Sequence, residues 1–593
     1  MLELIAPMGS VLLSWLLLFL LFSGLGIGVL RVIGRSVDSG WIWLDCFWLG
    51  WALALGLMQF WHFVFPVNDA LVLLFAAASV CLLLWRGRSL RRAAGRLAGD
   101  KPFLLLYALM ALWMSNRALG MPIAFDTGFR DIQAVMWIDA YPIVPGLGNL
   151  FSSLAFNQSV YLYDALLDTS IWSGRSYYIA TGLLLMVYLG YALGAALQFY
   201  RSPSAAGLRW SKMFAALTIP YILFQTVSGG GITHFLTDTV VDLMGFMTLI
   251  YLLDFLQEWR PAQAEGNYFL YRLAIVILAG ITIKQSYFVY GAATAALAIM
   301  VWLGRGGLGE QSRSAARTAL SICLLGLALL LPWLARGVVT SGYLAYPHSF
   351  GRIDLDWTMP EDQIKLRQQR LATNTRLRGG DPATVLASWD WLGPWARDFA
   401  TNIFPTLLPT ILSLVGLCLY GGAKLKHRAD NPVPGLNWRV FCPMLVMLLF
   451  WFFSVPEDKY IRYILWSFAA LSLTMAALAW LSIAWRRRVQ AVFAVVIFCL
   501  AYVIFAIVRH GEYFIPAGSA GGFHAHFLPI YHEFVTDDGT VLNRTLGEEP
   551  NQCWHIPLPC TPHPDAGISA RVKGEFRHGF RYRPIDERGA PDD

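Results

Sequence analysis

Runs of about 17–25 apolar residues, long enough to cross the roughly 30 Å hydrocarbon core of a bilayer as a helix, recur along most of the chain. They lie near residues 10–33, 41–65, 68–85, 102–118, 176–200, 210–228, 235–257, 267–284, 286–304, 317–337, 400–420, 437–455, 462–484 and 489–508. The pattern predicts about fourteen transmembrane helices. The division at Lys284 is the least marked, because the two short runs beside it also fit one bent region. Polar sequence interrupts the series at 119–175, at 338–399 and in a tail from about residue 511.

The cations between the runs set an expected orientation. Arg31 and Arg35 follow the first run; Arg86, Arg88, Arg91, Arg92, Arg96 and Lys101 follow the third; Arg201, Arg209 and Lys212 follow the fifth. Arg305, Arg313 and Arg317 follow the ninth, Lys424, Lys426 and Arg428 the eleventh, and Arg486, Arg487 and Arg488 the thirteenth. Every cluster follows an odd-numbered run. By the positive-inside rule those segments are cytoplasmic, so both termini and all three polar segments are expected outside the cytoplasmic membrane of a bacterium. The first run, about Met8 to Leu30, lacks the basic start and small-residue cleavage site of a signal peptide and reads as a retained helix.

Composition narrows the classes further. A chain of 593 residues that is 57% hydrophobic and 14% charged, with mean hydropathy +0.52, has too little polar surface for a soluble enzyme. The net charge of +7 is distributed by loop and gives no reason to expect a nucleic-acid partner. The layout divides into N-terminal helices (1–101), a core with the first large loop (102–340), the second loop with later helices (341–510) and a tail (511–593). Six cysteines, Cys46, Cys81, Cys323, Cys418, Cys442 and Cys499, sit in or beside apolar runs as expected packing residues. Cys553 and Cys560, in NQCWHIPLPC, stand alone in the tail. An oxidising location favours a disulfide between them over a metal site with His555. Asp538-Gly539, between HEFVT and TVLN, predicts a hairpin in a tail too short to bury a core of its own. In the second loop, EDQIKLRQQRLATNTRL predicts a solvated polar helix after a proline.

Ionisable residues at the ends of apolar runs are the candidates for chemistry. Asp126 and Asp131, in FDTGFRD, lie shortly beyond the fourth run among aromatic side chains, where a carboxylate suits work on a lipid-linked substrate. Gly128 permits a tight backbone, and Arg130 has either acid within reach. Capping of the helix that begins at DIQAVMWI is the plainer role for both, and for Asp131 a cap or a salt bridge is the favoured one. Asp238 and Asp242, in TDTVVD, are four apart and share one helical face at the start of the seventh run. An acid there must face the bundle interior or a wet cavity. These carboxylates fit a general base with an optional divalent-cation ligand, or hydrogen bonding inside the bundle to Thr237 or His234. Lys284, Arg336, Lys459 and Arg462 are cations at outward run ends, where few are expected, and are candidates for a lipid phosphate. Snorkelling, or pairing with Glu457 and Asp458, is the alternative.

This pattern resembles the GT-C superfamily of membrane glycosyltransferases, which use polyprenyl-phosphate sugars. Asp126, followed by the aromatic-rich IQAVMWI, matches that family's acid in the first large outer loop, and Asp238 in TDTVVD matches a second acid opening a later span. YPIVPGLGNL, LAFNQS, SGYLAYP, IDLDW, PEDKYIRY and CWHIPLPCTP resemble a multi-spanning bacterial branch, over about residues 125–582. The resemblance implies an all-α polytopic protein with a GT-C-like core, its outer loops forming a lid over a membrane-level pocket. It further implies transfer of a sugar from a polyprenyl-phosphate donor to an envelope glycan or lipid, with Asp126 and Asp238 as catalytic acids. Asp131, Asp242, Lys284, Arg336, Lys459 and Arg462 are the expected substrate contacts. Two departures stand out: related sequences carry Tyr-His at Arg130-Asp131, and a basic residue at Ser152 or Ser153. Three extra spans also precede the one leading into the acidic loop. A transporter or flippase of a lipid-linked glycan, or a non-catalytic scaffold, are the competing expectations.

Overall fold

A computed structural model describes residues 2–35, 42–86, 98–122, 124–201, 209–227, 232–235, 237–259, 266–305, 312–426, 438–480, 527–546 and 552–583, with positions 92, 95, 497, 499–501 and 504. Helices dominate. Eight described helices are long and apolar enough to cross a membrane: Ile5–Val32, Ile42–Trp61, Ser176–Arg201, Thr237–Glu258, Gln285–Gly304, Ala315–Ser341, Ile403–Leu425 and Arg462–Trp480. Asp69–Trp85, Asn267–Ile283 and Trp438–Ser454 are shorter apolar helices.

The remaining apolar runs differ from expectation in instructive ways. Residues 102–118 form the 17-residue helix Lys101–Arg117, at the short end of the length expected of a span. The run at 210–228 breaks into Trp210–Leu217 and Ile219–Gln225. Pro220 stands in the first turn of the second piece, where a missing N–H costs least. Lys284 is extended between the helices Gly266–Ile283 and Phe288–Gly304, so that region is two helices and not one bent span. Most of the run at 489–508 lies outside the described residues.

Thr237–Glu258 is the axis of the bundle; its apolar stretch is wholly buried. Close packing around it depends on bare backbone. A Cβ on Gly245 would lie 2.1 Å from the ring of Tyr463, on the neighbouring helix Arg462–Trp480. By contrast, only 22% of the Ala315–Ser341 stretch is buried, and Leu320, Leu324, Leu327 and Leu331 point away from the protein. Cys46 and Cys499 are buried as expected and Cys442 partly so, but Cys81, Cys323 and Cys418 are exposed on the outside of the bundle.

One face of the bundle carries the long loops and the tail. The polar run after Pro360 is the helix Glu361–Arg376, as its pattern predicted. In the tail, β1 (Tyr531–Val535) and β2 (Val541–Thr545) pair antiparallel across Asp538-Gly539, with Gly539 at φ +83°. A second pair joins β3 (Ile568–Ala570) to β4 (Phe580–Tyr582). Cys553 and Cys560 are disulfide-bonded. The tail docks on the first loop through backbone bonds: Trp554 N–H to Gly128 O at 2.9 Å and Phe580 N–H to Pro145 O at 3.0 Å. The Thr561 hydroxyl adds a bond to Leu150 O at 3.0 Å.

Candidate functional site

The central helix brings its first turn to the loop-bearing face, and Asp238 there forms an ion pair with Lys284. Lys284 owes its position to the extended residue between two helices, which turns its side chain back toward Asp238. The ring of Tyr460 lies between two ammonium groups, with Lys284 Nζ 4.8 Å and Lys459 Nζ 5.3 Å from its centroid. Lys459 also pairs with Glu457 at 3.1 Å, so the pairing alternative holds for this residue. Burial works against the charge on Lys459, but the Tyr460, Asp238, Glu457 and Asp126 groups around it outweigh that and hold its pKa above the ordinary range. Burial pulls Lys284 down, with help from the nearby Lys459 and Arg130 charges and against the pull of Asp238.

Asp242, one turn further in, accepts from the hydroxyl of Tyr221 and, at 3.5 Å, from Gln225. Tyr221 and Gln225 are four apart on the helix that Pro220 restarts, so both face the same carboxylate. The Thr237 hydroxyl makes no hydrogen bond to either acid among the described residues. Arg462 lies within electrostatic reach of Asp242 and Asp238. Its side chain has no hydrogen bond or ion pair among the described residues, and its Nε is buried without an acceptor.

Asp126 enters from the first loop, at the start of a π-helical turn, Thr127–Asp131. Such turns pack an extra residue into the helical ladder and re-aim neighbouring side chains. Arg130 bridges the two acids, 3.4 Å from Asp126 and 2.9 Å from Asp131. Their surroundings differ. The Asp126 side chain is 34% exposed and near enough to Lys459 to affect its charge. Asp131 is fully buried, accepts from the Tyr161 hydroxyl at 2.5 Å and makes no capping bond. Burial, with Asp126 adding to it against Arg130 and Tyr161, pushes the Asp131 pKa up to about 6. Asp131 therefore holds Arg130 in place and is not itself presented to a ligand.

Gly128 is required by the tail. A Cβ there would lie 2.2 Å from the indole of Trp554. The Gln133 amide donates at 2.9 Å to both Trp554 O and Ile556 O and fixes the disulfide loop over the acidic turn. Above the turn, the guanidinium groups of Arg130 and Arg367 lie 5.8 and 5.3 Å from the ring centroid of Phe156. Arg367, on the polar helix, donates to Ser153 at 3.0 Å and Ser152 at 3.4 Å. A positive charge thus stands beside Ser152 and Ser153, brought by another element.

The structure draws together Asp126, Asp131, Asp238, Asp242, Lys284, Lys459 and Arg462. Arg336 is not with them. It is buried against His62 and Asn157 behind the acidic loop. No group of three or more His, Cys, Asp or Glu among the described residues has the arrangement to hold a metal ion, so the divalent-cation option gains no support. Sequence reasoning missed Tyr460, Tyr161, Tyr221 and Gln225, which orient the charged groups. Tyr460 adjoins Lys459, but Tyr161 and Tyr221 have no charged residue one or four positions away that would have pointed to them.

A family model described as a domain of unknown function (DUF8201) matches residues 8–469, a span that takes in every charged residue of this cluster. No curated protein and no solved structure matches the chain.

Proposed function

We propose that this chain, which belongs to the DUF8201 family, is a membrane glycosyltransferase. It moves a sugar from a polyprenyl-phosphate donor to an envelope glycan or lipid. In this reading the bundle is a GT-C-like core of about fourteen spans in a bacterial cytoplasmic membrane. The loop-bearing face and both termini are outward, as the cation distribution favours. The observation that carries the reading is the meeting of Lys284, Lys459 and Arg462, the last with no protein partner of its own among the described residues, beside the part-exposed Asp126.

The chemistry follows from those groups. Asp126 takes the proton of the acceptor hydroxyl as its oxygen attacks the anomeric carbon. The bond from that carbon to the phosphate oxygen breaks, and the polyprenyl phosphate leaves with the electron pair. Charge growing on the departing oxygen is met by Lys459 and Arg462, preset cationic donors. Asp238 holds Lys284 toward the same space, and Arg130, braced by Asp131, fixes Asp126.

The test is Asp126→Asn, which keeps shape and removes the proton acceptor. Loss of a general base costs about 10²–10⁴ in rate, so transfer from a polyprenyl-phosphate sugar should collapse while donor binding survives. Near-normal transfer by a variant of unchanged stability would remove Asp126 from the mechanism, and transport of a lipid-linked glycan would then explain the same cations better. Orientation is tested separately. Impermeant thiol reagents should label cysteines introduced at the exposed positions Ser173, Ala387 and Glu533, but not at Ala94 or Ala429; labelling at Ala94 would reverse the topology.

A further inference from the structure

Behind the acidic loop lies a second polar space that the proposed reaction does not use. It is a cavity of about 40 Å³. Its polar lining includes His62, Trp137, Asn157, Gln158, Tyr161 and Arg336, and most of the rest is aliphatic.

Arg336 dominates it. The residue is only 5% exposed. Its Nε donates to Asn157 Oδ1 at 3.2 Å, and its Nη1 to His62 Nδ1 at 2.6 Å. The opposite nitrogen of His62, Nε2, lies 3.1 Å from the carbonyl of Tyr141 and donates to it. That assigns Nδ1 as the bare acceptor and leaves the imidazole neutral. Both partners of the guanidinium are therefore uncharged. No carboxylate lies within ion-pair distance of Arg336 among the described residues, and its Nη2 has no protein acceptor there.

The walls add donors. The indole N–H of Trp137 is buried with no acceptor. The Gln158 side-chain carbonyl is buried with no donor, and a half-turn of that amide presents its N–H groups in its place. A buried guanidinium with only neutral partners is costly, and an anion beside it relieves the cost. The planar, directional donors of the guanidinium, with Trp137 and Gln158 in the lining, suit an oxyanion with several acceptor oxygens better than a spherical ion. A cavity needs about 10–15 Å³ per water, so this one has room for a small oxyanion head and none for a sugar ring.

We infer that the Arg336 cavity binds a phosphate-type oxyanion, at a site distinct from the Lys284–Lys459–Arg462 cluster. Tyr161 links the two: it lines the cavity, and its hydroxyl donates to Asp131. The inference does not depend on the glycosyltransferase reading.

The experiment uses full-length protein in nanodiscs carrying Lys459→Gln and Arg462→Gln, which removes the other phosphate site. Inorganic phosphate should raise the melting temperature saturably in this background, and chloride at equal ionic strength should not. Adding Trp137→Phe should weaken the phosphate effect about tenfold or more, as expected for a donor to a charged acceptor. Arg336→Gln should abolish it. If Arg336→Gln does not fold, the Trp137→Phe titration alone decides. A phosphate effect unchanged by Trp137→Phe, an equal effect of chloride, or no effect in the double-Gln background would each overturn the proposal. Polyprenyl phosphate acting at lower concentration than inorganic phosphate would identify a lipid headgroup as the source; equal or weaker action would identify the free ion. Both outcomes support an oxyanion site.

Discussion

The central helix Thr237–Glu258 has buried acids at both ends, and the two ends are built differently. At Asp254, Arg272 Nη2 donates at 2.7 Å and the Ser211 hydroxyl at 2.5 Å. The other amine of Arg272 reaches Asp45 at 3.4 Å, and Tyr268 donates to the same carboxylate. The rings of Tyr251, Tyr268 and Phe269 close around the guanidinium at 4.5, 4.9 and 4.9 Å, leaving only its Nε without an acceptor. At the Asp238 end Lys284 pairs with that acid and Lys459 with Glu457, but Arg462 has no partner among the described residues, and the Lys459 side chain is 32% exposed. Charges buried in an apolar bundle do not by themselves mark a site. Donors left over, with a path to solvent, do.

The sharpest break of this contrast is Arg272→Gln. It strands two carboxylates, and removing one partner of a buried ion pair costs about 3–5 kcal/mol. Thermal unfolding in detergent should show a large loss of stability; a near-native melting temperature would mean that the sealed end is not held by its charges. The matching change at the open end, Lys459→Gln with Arg462→Gln, should leave the fold intact. Each charge-assisted contact is worth about 1.5–3 kcal/mol, so polyprenyl-phosphate affinity should fall at least tenfold. Unchanged affinity would shift the phosphate contact to Lys284.

Smaller effects sharpen the picture of the open end. The disulfide closes a short loop, for which chain entropy gives about 2 kcal/mol. Cys553→Ser with Cys560→Ser should therefore loosen the tail over Gly128, raising hydrogen exchange at Trp554 and Gly128 while the helices stay protected. Exchange unchanged at both would show that the docking bonds suffice. The smallest effect concerns pH. Asp131 holds its proton more tightly in the folded protein, up to about 6 against an ordinary 3.8. Its stabilising contribution is therefore full below roughly pH 4 and is lost as pH rises through 6. The stability difference between wild type and Asp131→Asn should grow on acidification through this window; a flat difference would mean that the acid is not buried as described.

Much of the open end was legible because an ionisable residue in or beside an apolar run stands out. Asp238, Asp242, Lys284, Lys459 and Arg462 were found that way, and the disulfide followed from isolation in the tail. Arg336 was read by the same rule and grouped with the others. Position along a helix gives depth in the bundle, but the direction around its axis depends on packing. The partner that decides the matter, His62, is 274 residues away. The Asp45–Arg272–Asp254 network carried the same signal, a charge within an apolar run, and was overlooked because no motif surrounds it. Tyr460, Tyr161 and Tyr221 are three of 24 tyrosines, and nothing local singles them out. Gly128 was noticed for the wrong physical reason: its missing Cβ makes room for an indole from the far end of the chain.

That long reach sets a timetable for the newborn protein. The acidic turn emerges from the ribosome early, yet the residues that brace it, Trp554 and Ile556, lie 421 and 423 positions beyond Gln133. Nearly the whole bundle must be synthesised and threaded before the turn meets its brace. A chain truncated ahead of the tail would carry every acid and cation of the cluster and still lack the piece that holds Asp126 in position. A segment made after the bundle thus braces the turn that carries Asp126.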